Sequence, residues 1–309
     1  MKLDDLKKYE PIYVIGHMNP DIDTAASSKL VSSILNSKGI KSYYAILDKN
    51  YEFNEYNKRL INDVMSYNPV IIKTEDINKY NWFLTDHNDP EQSVGLSANI
   101  VGCIDHHMNS KKVKNIILSD IGSAALFVYD LFKKEYSFNE EEKRSIFFAF
   151  MDDSKYGMSS RYKESDAIIA DELGFGRNYK ELFRKYFIPT DLTKGIEYVI
   201  NNGYKKVRYE NIFFESSFIE TYGINGLEEY KKIIKSKESF LGRWVDYESE
   251  KTYVIFKYDN KIYEKEYPFI ASRATTVMKD LIEYLKVNGY LQQWFYYCCF
   301  FFEFNVKFY

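Results

Sequence analysis

Histidine is scarce in this sequence: His17, His87, His106 and His107 are the only four in a chain of 309 residues. Each stands beside aspartate, in three clusters. These are Gly16-His17-Met18-Asn19-Pro20-Asp21-Ile22-Asp23, Thr85-Asp86-His87-Asn88 and Ile104-Asp105-His106-His107. A fourth acidic group, Met151-Asp152-Asp153-Ser154, follows the apolar run Ile146 to Met151. One aspartate after a strand is ordinarily a helix cap, and one histidine is ordinarily structural. Three clusters that use every histidine in the chain point instead to a shared site. In the first cluster Pro20 disfavours helical geometry at Asn19, so His17, Asp21 and Asp23 lie on a turn that can aim all three side chains inward. Imidazole and carboxylate together suit Mn²⁺, and also Co²⁺ or Zn²⁺. So many carboxylates suggest two ions sharing a bridging aspartate, the arrangement that clamps an in-line attack on phosphorus.

The elements that must position these residues are short apolar runs. Ile12 to Ile15, ending at Gly16, reads as a buried strand. A helix is expected from about Thr24, with Asp23 as its N-cap and Gly39 at the C′ position. Lys41 to Leu47, Val70 to Ile72, Trp82 to Thr85 and Ile100 to Ile104 repeat the strand pattern. Strands alternating with helices predict an α/β domain, a parallel sheet with helices on both faces. In such sheets ligands bind at the carboxyl ends of the strands, where all four histidines fall. From about Ser123 to Phe187 the chain reads as mostly helical, and Pro189 marks a break. A second, smaller α/β block follows. It has a helix near Leu192 to Ile200, strands at Ile212 to Ile219, Tyr253 to Tyr258 and Ile262 to Tyr267, and a closing helix from about Thr275. The expected division is residues 1–185, residues 186–289 and an aromatic tail, 290–309. The tail fits a terminal strand or a segment with no selected role.

Composition bounds the function. The length suits two domains rather than one core. A hydrophobic content of 45% supports a large core and argues against disorder. A net charge of −3 argues against a dedicated nucleic-acid binder, which needs a basic surplus to neutralise phosphates. Cys103, Cys298 and Cys299 give neither a disulfide framework nor a zinc spacing. The start, Met1-Lys2-Leu3-Asp4-Asp5, lacks a leader's apolar run, and the apolar stretch of the tail is too short and interrupted for a membrane span. These features lead us to expect a cytoplasmic protein with no nucleic-acid or membrane partner.

Taken together, the four segments resemble the DHH phosphoesterase superfamily, and within it the family II, manganese-dependent inorganic pyrophosphatases. His17 to Asp23 is similar to that family's His-x-Asn-Pro-Asp-x-Asp signature. Asp86-His87-Asn88 is similar to its Asp-His-Asn motif, and Asp105-His106-His107 to the motif that names the superfamily. The resemblance spans roughly residues 10–175. It implies hydrolysis of pyrophosphate, a small anionic substrate, with two Mn²⁺ per chain, for which Co²⁺ or Mg²⁺ can substitute. One ion would be held by His17, Asp21 and Asp86, the other by Asp23, Asp86, His106 and Asp153, with Asp86 bridging. His107 would contact the substrate phosphate or act as a general acid. Asp153 is preferred to Asp152 because the family has Asp followed by Ser or Thr, as in Asp153-Ser154. The helix carrying Glu164 and Asp166 also falls into register only with that choice. The second block resembles the accessory, DHHA2-like domain of these enzymes. There a Ser-Arg-Lys triplet grips the substrate; here it reads Ser272-Arg273-Ala274, with the lysine absent. A further substrate lysine would map to Lys205 or Lys206. A homodimer is compatible with the resemblance. So are another phosphohydrolase of the superfamily, such as a polyphosphatase or small phosphodiesterase, and a non-catalytic binding protein on the same fold.

Overall fold

The structure, a computed structural model, describes residues 3–49, 53, 55–107, 113, 115–209, 212–291 and 306–308. The chain divides into two units, residues 1–157 with 162–187, and residues 158–161 with 188–309.

The first unit opens with β1 (Ile12–Ile15), α1 (Ile22–Ser37), β2 (Ser42–Leu47), α2 (Glu55–Val64) and β3 (Val70–Ile72). It continues with β4 (Asn81–Thr85), β5 (Asn99–Asp105) and β6 (Ile116–Leu118), then α3 (Ala124–Phe132), α4 (Glu140–Asp153), α5 (Glu164–Asp171) and α6 (Tyr179–Tyr186). Its six strands are all parallel, in the order β3-β2-β1-β4-β5-β6. Helix α1 packs on β1, β2 and β4 and against α3 and α4. The opposite face, with Tyr13, Ile15, Trp82, Leu84 and Cys103, is covered by Ile77, Val94 and Val113. Ile77 belongs to a 3-10 helix, Thr74–Lys79, because the connection from β3 to β4 is too short for a full α-helix. Coverage on both sides explains the continuous apolar character of these strands.

The N-cap of α1 is Asp21 rather than the expected Asp23. The Asp21 carboxylate accepts a hydrogen bond from Thr24 N at 2.9 Å, so the helix begins at once after Pro20 and Asp23 falls inside its first turn. Gly39, at φ 74°, follows the end of the helix as expected. A capping box between Asn139 and Glu142 fixes the start of α4, whose last residues are Asp152 and Asp153.

The second unit contains α7 (Ile196–Gly203), β7 (Lys205–Tyr209), β8 (Ile212–Thr221), α8 (Leu227–Ser236) and β9 (Phe240–Asp246). After these come β10 (Lys251–Tyr258), β11 (Lys261–Tyr267), α9 (Met278–Val287) and β12 (Val306–Phe308). The sheet order is β11-β10-β9-β8-β7-β12. Only the β8–β9 pair is parallel. One face carries Ile219 and Trp244 against Ile196 and Ile200 of α7 and Tyr230 of α8. The other carries Leu241 and Phe256 against Leu281 and Leu285 of α9. A single π-turn, Arg273–Val277, leads into α9.

Tyr290 and Leu291, assigned from sequence to the tail, pack with this core. Leu291 is 5% exposed, and the Tyr290 ring meets Tyr258 edge-on at 5.1 Å. Farther along, β12 pairs with β7 as an antiparallel edge strand. Residues 292–305 and 309, including Cys298 and Cys299, lie outside the described residues. Among the described residues, no helix is long and apolar enough to cross a membrane.

Candidate metal centre

In the first unit the strand order reverses between β1 and β4. The crevice beyond the carboxyl ends of strands at such a reversal is where ligands settle in open α/β sheets. His17 follows β1, Asp86 follows β4, and β5 ends at Asp105, with His106 and His107 next. The first turn of α1 adds Asp21 and Asp23, and the last residue of α4 adds Asp153.

Two backbone features set the centre of this cluster. Asp86 takes a left-handed conformation, φ 58°, with its N–H donated to Ile104 O at 3.2 Å; aspartate is among the few non-glycine residues that adopt it readily. Gly16 is the second feature, since a Cβ there would stand 2.1 Å from Thr24 Cγ2. Its absence lets Thr24 approach, and the Thr24 hydroxyl donates to Asp86 Oδ2 at 2.7 Å.

The two oxygens of Asp86 face different histidines. Oδ2 lies 3.3 Å from His17 Nε2, which is 3.6 Å from Asp21 Oδ2. Oδ1 lies 3.2 Å from His106 Nε2, which is 3.4 Å from Asp153 Oδ2 and 3.8 Å from Asp23 Oδ2. Within each of the groups His17/Asp21/Asp86 and Asp23/His106/Asp153, the potential ligand atoms all lie within 4.8 Å of one another. Two atoms bound at about 2.1 Å to one ion, at 90–110°, stand roughly 3.0–3.4 Å apart. Three of the pairs, at 3.2, 3.3 and 3.4 Å, have that spacing, and the pairs with Asp21 and Asp23, at 3.6 and 3.8 Å, are slightly wider.

The ring orientations agree. His17 Nδ1 sits 2.8 Å from Met18 O and His106 Nδ1 sits 2.9 Å from Ile121 O. Each carbonyl takes the Nδ1 proton and turns Nε2 toward the carboxylates, the orientation that metal-binding imidazoles show. His106 Nε2 is buried and makes no hydrogen bond among the described residues. A divalent cation between it and the aspartates would satisfy that lone pair, so the residues present fit a metal.

The electrostatics call for positive charge. Burial opposes ionisation of His106, yet Asp86, Asp153 and Asp23 outweigh it and push its pKa up to about 10. Burial raises the Asp23 pKa, and neighbouring Asp86 and Asp153 raise it further. Asp86 goes the other way despite burial, held well below the usual carboxylate range by His106 and His17.

Surrounding residues hold the ligand groups in place. Asp23 accepts from Ala124 N and Ala125 N, both at 2.7 Å, so its carboxylate rests on the positive end of α3. Asp105, at 0% exposure, accepts from His106 N at 2.7 Å, lies 2.9 Å from His107 Nδ1 and accepts from Asn88 Nδ2 at 2.7 Å. His107 itself is 47% exposed. Asp152 points elsewhere, accepting from Tyr56 Oη at 2.8 Å and Lys155 Nζ at 3.2 Å. His87 is buried with Nδ1 on Thr85 O at 2.8 Å and Nε2 on Ser93 Oγ at 2.7 Å, and burial pulls its pKa down to about 4. It belongs to the packing beneath the site. Thr24 was not singled out from sequence, because a threonine in a first helical turn carries no distinguishing pattern.

In the second unit, Ser272 is buried and its N–H donates to Ser160 Oγ at 3.0 Å. Burial, and then the nearby Arg243 guanidinium, lower the Arg273 pKa to about 10. Arg243 had no sequence signal. Ala274 lies in the π-turn. Lys205 and Lys206 open β7 opposite Ser216 and Glu215, and Lys206 is exposed.

Residues 11–151 match the model of the DHH family, N-terminal domain. A "probable manganese-dependent inorganic pyrophosphatase" of Streptococcus thermophilus is 26% identical over 173 residues, covering 52% of this chain and 54% of that protein. The manganese-dependent inorganic pyrophosphatase of Methanothrix thermoacetophila is 31% identical over 98 residues, 31% of this chain and 30% of that protein. This chain thus spans about half the length, or less, of the curated relatives it matches. Among solved structures, a Methanococcus jannaschii protein assigned as a family II inorganic pyrophosphatase superposes with a TM-score of 0.60 at 18% identity, over 80% of this chain and 87% of that one. That likeness extends the shared fold into the second unit.

Proposed function

We propose, on the match of residues 11–151 to the model of the DHH family, N-terminal domain, that this chain hydrolyses inorganic pyrophosphate to two phosphates at a dinuclear manganese site. The observation that carries the reading is Asp86, whose two oxygens address two separate histidine–carboxylate groups. Manganese is favoured by the mixed nitrogen and oxygen donors and by the names of the curated relatives. In this reading His17, Asp21 and Asp86 hold one ion, and Asp23, Asp86, His106 and Asp153 the other. Bound there, two divalent ions would supply Lewis-acid polarisation of phosphoryl oxygens and lower the pKa of a water.

The remaining steps fall to the chain's own groups. Asp105 fixes the His107 ring through Nδ1, which leaves Nε2 to meet a phosphate oxygen and supply a proton to the leaving group. Asn88 holds Asp105 in that orientation. Ser272 and Arg273 of the second unit, with Lys205 or Lys206, bind phosphate oxygens and neutralise charge developing on them. Residues 1–185 would then form the catalytic domain and 186–289 the substrate-binding domain.

A polyphosphatase or small phosphodiesterase would use the same ligands and differ in the second unit, where Ala274 replaces the lysine of the resembled triplet. Phosphate release from pyrophosphate, tripolyphosphate and a dinucleotide, each with Mn²⁺ and with Mg²⁺, decides between them. Pyrophosphate with Mn²⁺ should be the best pair. Preference for tripolyphosphate or the dinucleotide would move the assignment to those relatives, and no release from any of them would overturn it.

A further inference from the structure

Arg243 is the least expected polar residue of the second unit. It lies mid-strand in β9, in register with Phe218 of β8 and Val254 of β10. Its side chain is only 13% exposed. One terminal nitrogen donates to Glu220 Oε1 at 3.0 Å and the other to Ala271 O at 3.3 Å. The guanidinium therefore reaches from the sheet to the segment that presents Ser272 and Arg273. That segment is firmly held. Ala271 N donates to Thr252 Oγ1 at 2.9 Å, Thr252 Oγ1 donates to Phe269 O at 3.1 Å, and Ser160 Oγ bonds both Ser272 N at 3.0 Å and Thr276 Oγ1 at 2.9 Å.

Two cations close together in a partly buried place repel each other. Arg273 shows that repulsion: after burial, the Arg243 charge is the main influence lowering its pKa, with Glu220 opposing. Arg243 also has donors to spare. A guanidinium carries five N–H groups, and the buried Nε of Arg243 has no hydrogen-bond partner among the described residues. A planar guanidinium fork suits the oxygens of a phosphate group, and the Arg243 fork ends on Ala271 O, two residues before Arg273.

We propose that Arg243 acts with Arg273 to bind one phosphate group of a phosphoanhydride, making Arg243 a second anion-binding residue of this unit. Phosphate as the ligand rests on the proposed function. The bland alternative is that Arg243 only ties β9 to residue 271 through its bond with Glu220.

The test is calorimetric titration of inorganic pyrophosphate into the full-length chain in EDTA, for wild type, Arg243→Gln, Arg243→Lys, Arg273→Gln and Glu220→Gln. Arg243→Gln and Arg273→Gln should each weaken binding about ten- to a hundredfold. Arg243→Lys should recover part of the loss. Glu220→Gln should tighten binding, because it releases Arg243 from its ion pair, whereas a purely structural bond predicts no gain. Arg243→Gln that melts cooperatively and binds within about twofold of wild type would overturn the proposal, as would a wild type that binds no pyrophosphate in EDTA. If Arg243→Gln does not fold, Glu220→Gln decides: tighter binding supports the proposal, unchanged or weaker binding overturns it. Binding that depends on Arg243 without phosphate release under any metal would sustain this site and sink the hydrolase reading. Release without such binding would do the reverse.

Discussion

Asp86 sits where a left-handed backbone turn, a threonine hydroxyl and two imidazoles converge. Losing its charge should affect both ligand groups at once, whereas the Asp152 carboxylate is bonded to Tyr56 and Lys155 among the described residues. We expect Asp86→Asn to lower pyrophosphate turnover by more than about a hundredfold and Asp152→Asn by about tenfold or less. Steady-state kinetics at saturating Mn²⁺ measures both, and equal losses would make Asp152 the fourth acidic ligand. His87 yields a pH prediction. Its pKa is about 4 in the folded chain against an ordinary 6.5, so the unfolded ring takes a proton that the buried ring refuses. Its stabilising contribution is complete above pH 6.5 and fades as pH falls toward 4. The slope it adds is about 1 kcal/mol per pH unit. Urea unfolding in EDTA at pH 5 and pH 6 should show that slope reduced in His87→Gln, and equal slopes would refute it. Residue types and spacing gathered the histidines, and only the family resemblance left His87 out of the ligand sets. His87 has the same aspartate-flanked setting as His106, and in the structure the inward turn of its ring to Thr85 and Ser93 separates them.

Elements convert these residues into a site through where they end. The β1–β4 reversal and the first turn of α1 deliver four of the six proposed ligands, and α4 and β5 deliver the others. Close contact between the loop after β1 and α1 depends on Gly16. In Gly16→Ala the new Cβ must displace Thr24, at a cost of about 1–3 kcal/mol as for other overpacked sites, and loosen the hold on Asp86. Thermal melting and Mn²⁺ titration should both show the effect; unchanged melting would mean the loop yields freely. The parallel strands β1 to β5 were legible because each contains a short apolar run. Strand β6 was missed although its Ile-Ile-Leu run is as short and apolar as that of β3, and β9 was missed because Gly242 and Arg243 interrupt its apolar pattern. The cap of α1 was misplaced by two residues for a related reason: both aspartates follow Pro20, and only packing on α3 commits Asp23 elsewhere.

At the scale of the whole chain, the two units differ in how far sequence reaches. The first carries motifs whose chemistry fixes a topology. The second was readable as α/β, yet its end was not, since the aromatic run from Tyr290 offers no periodicity. Burial of Leu291 beside Leu285 now splits that tail. Truncation after Leu291 removes, of the described residues, only the β12 edge strand, while truncation after Asn288 should cost about 2–5 kcal/mol more, as for loss of a buried leucine. Equal melting temperatures would show that Leu291 adds nothing to the core. In the first unit, Asp86 is proposed to join two metal ions. The most direct test of that bridge is elemental analysis of the EDTA-stripped chain after reloading with Mn²⁺ and desalting, beside Asp86→Asn treated identically. Folded wild-type chain should carry about two ions, the number a two-metal clamp requires, and the variant fewer. A reproducible value near zero for folded wild-type protein would contradict it.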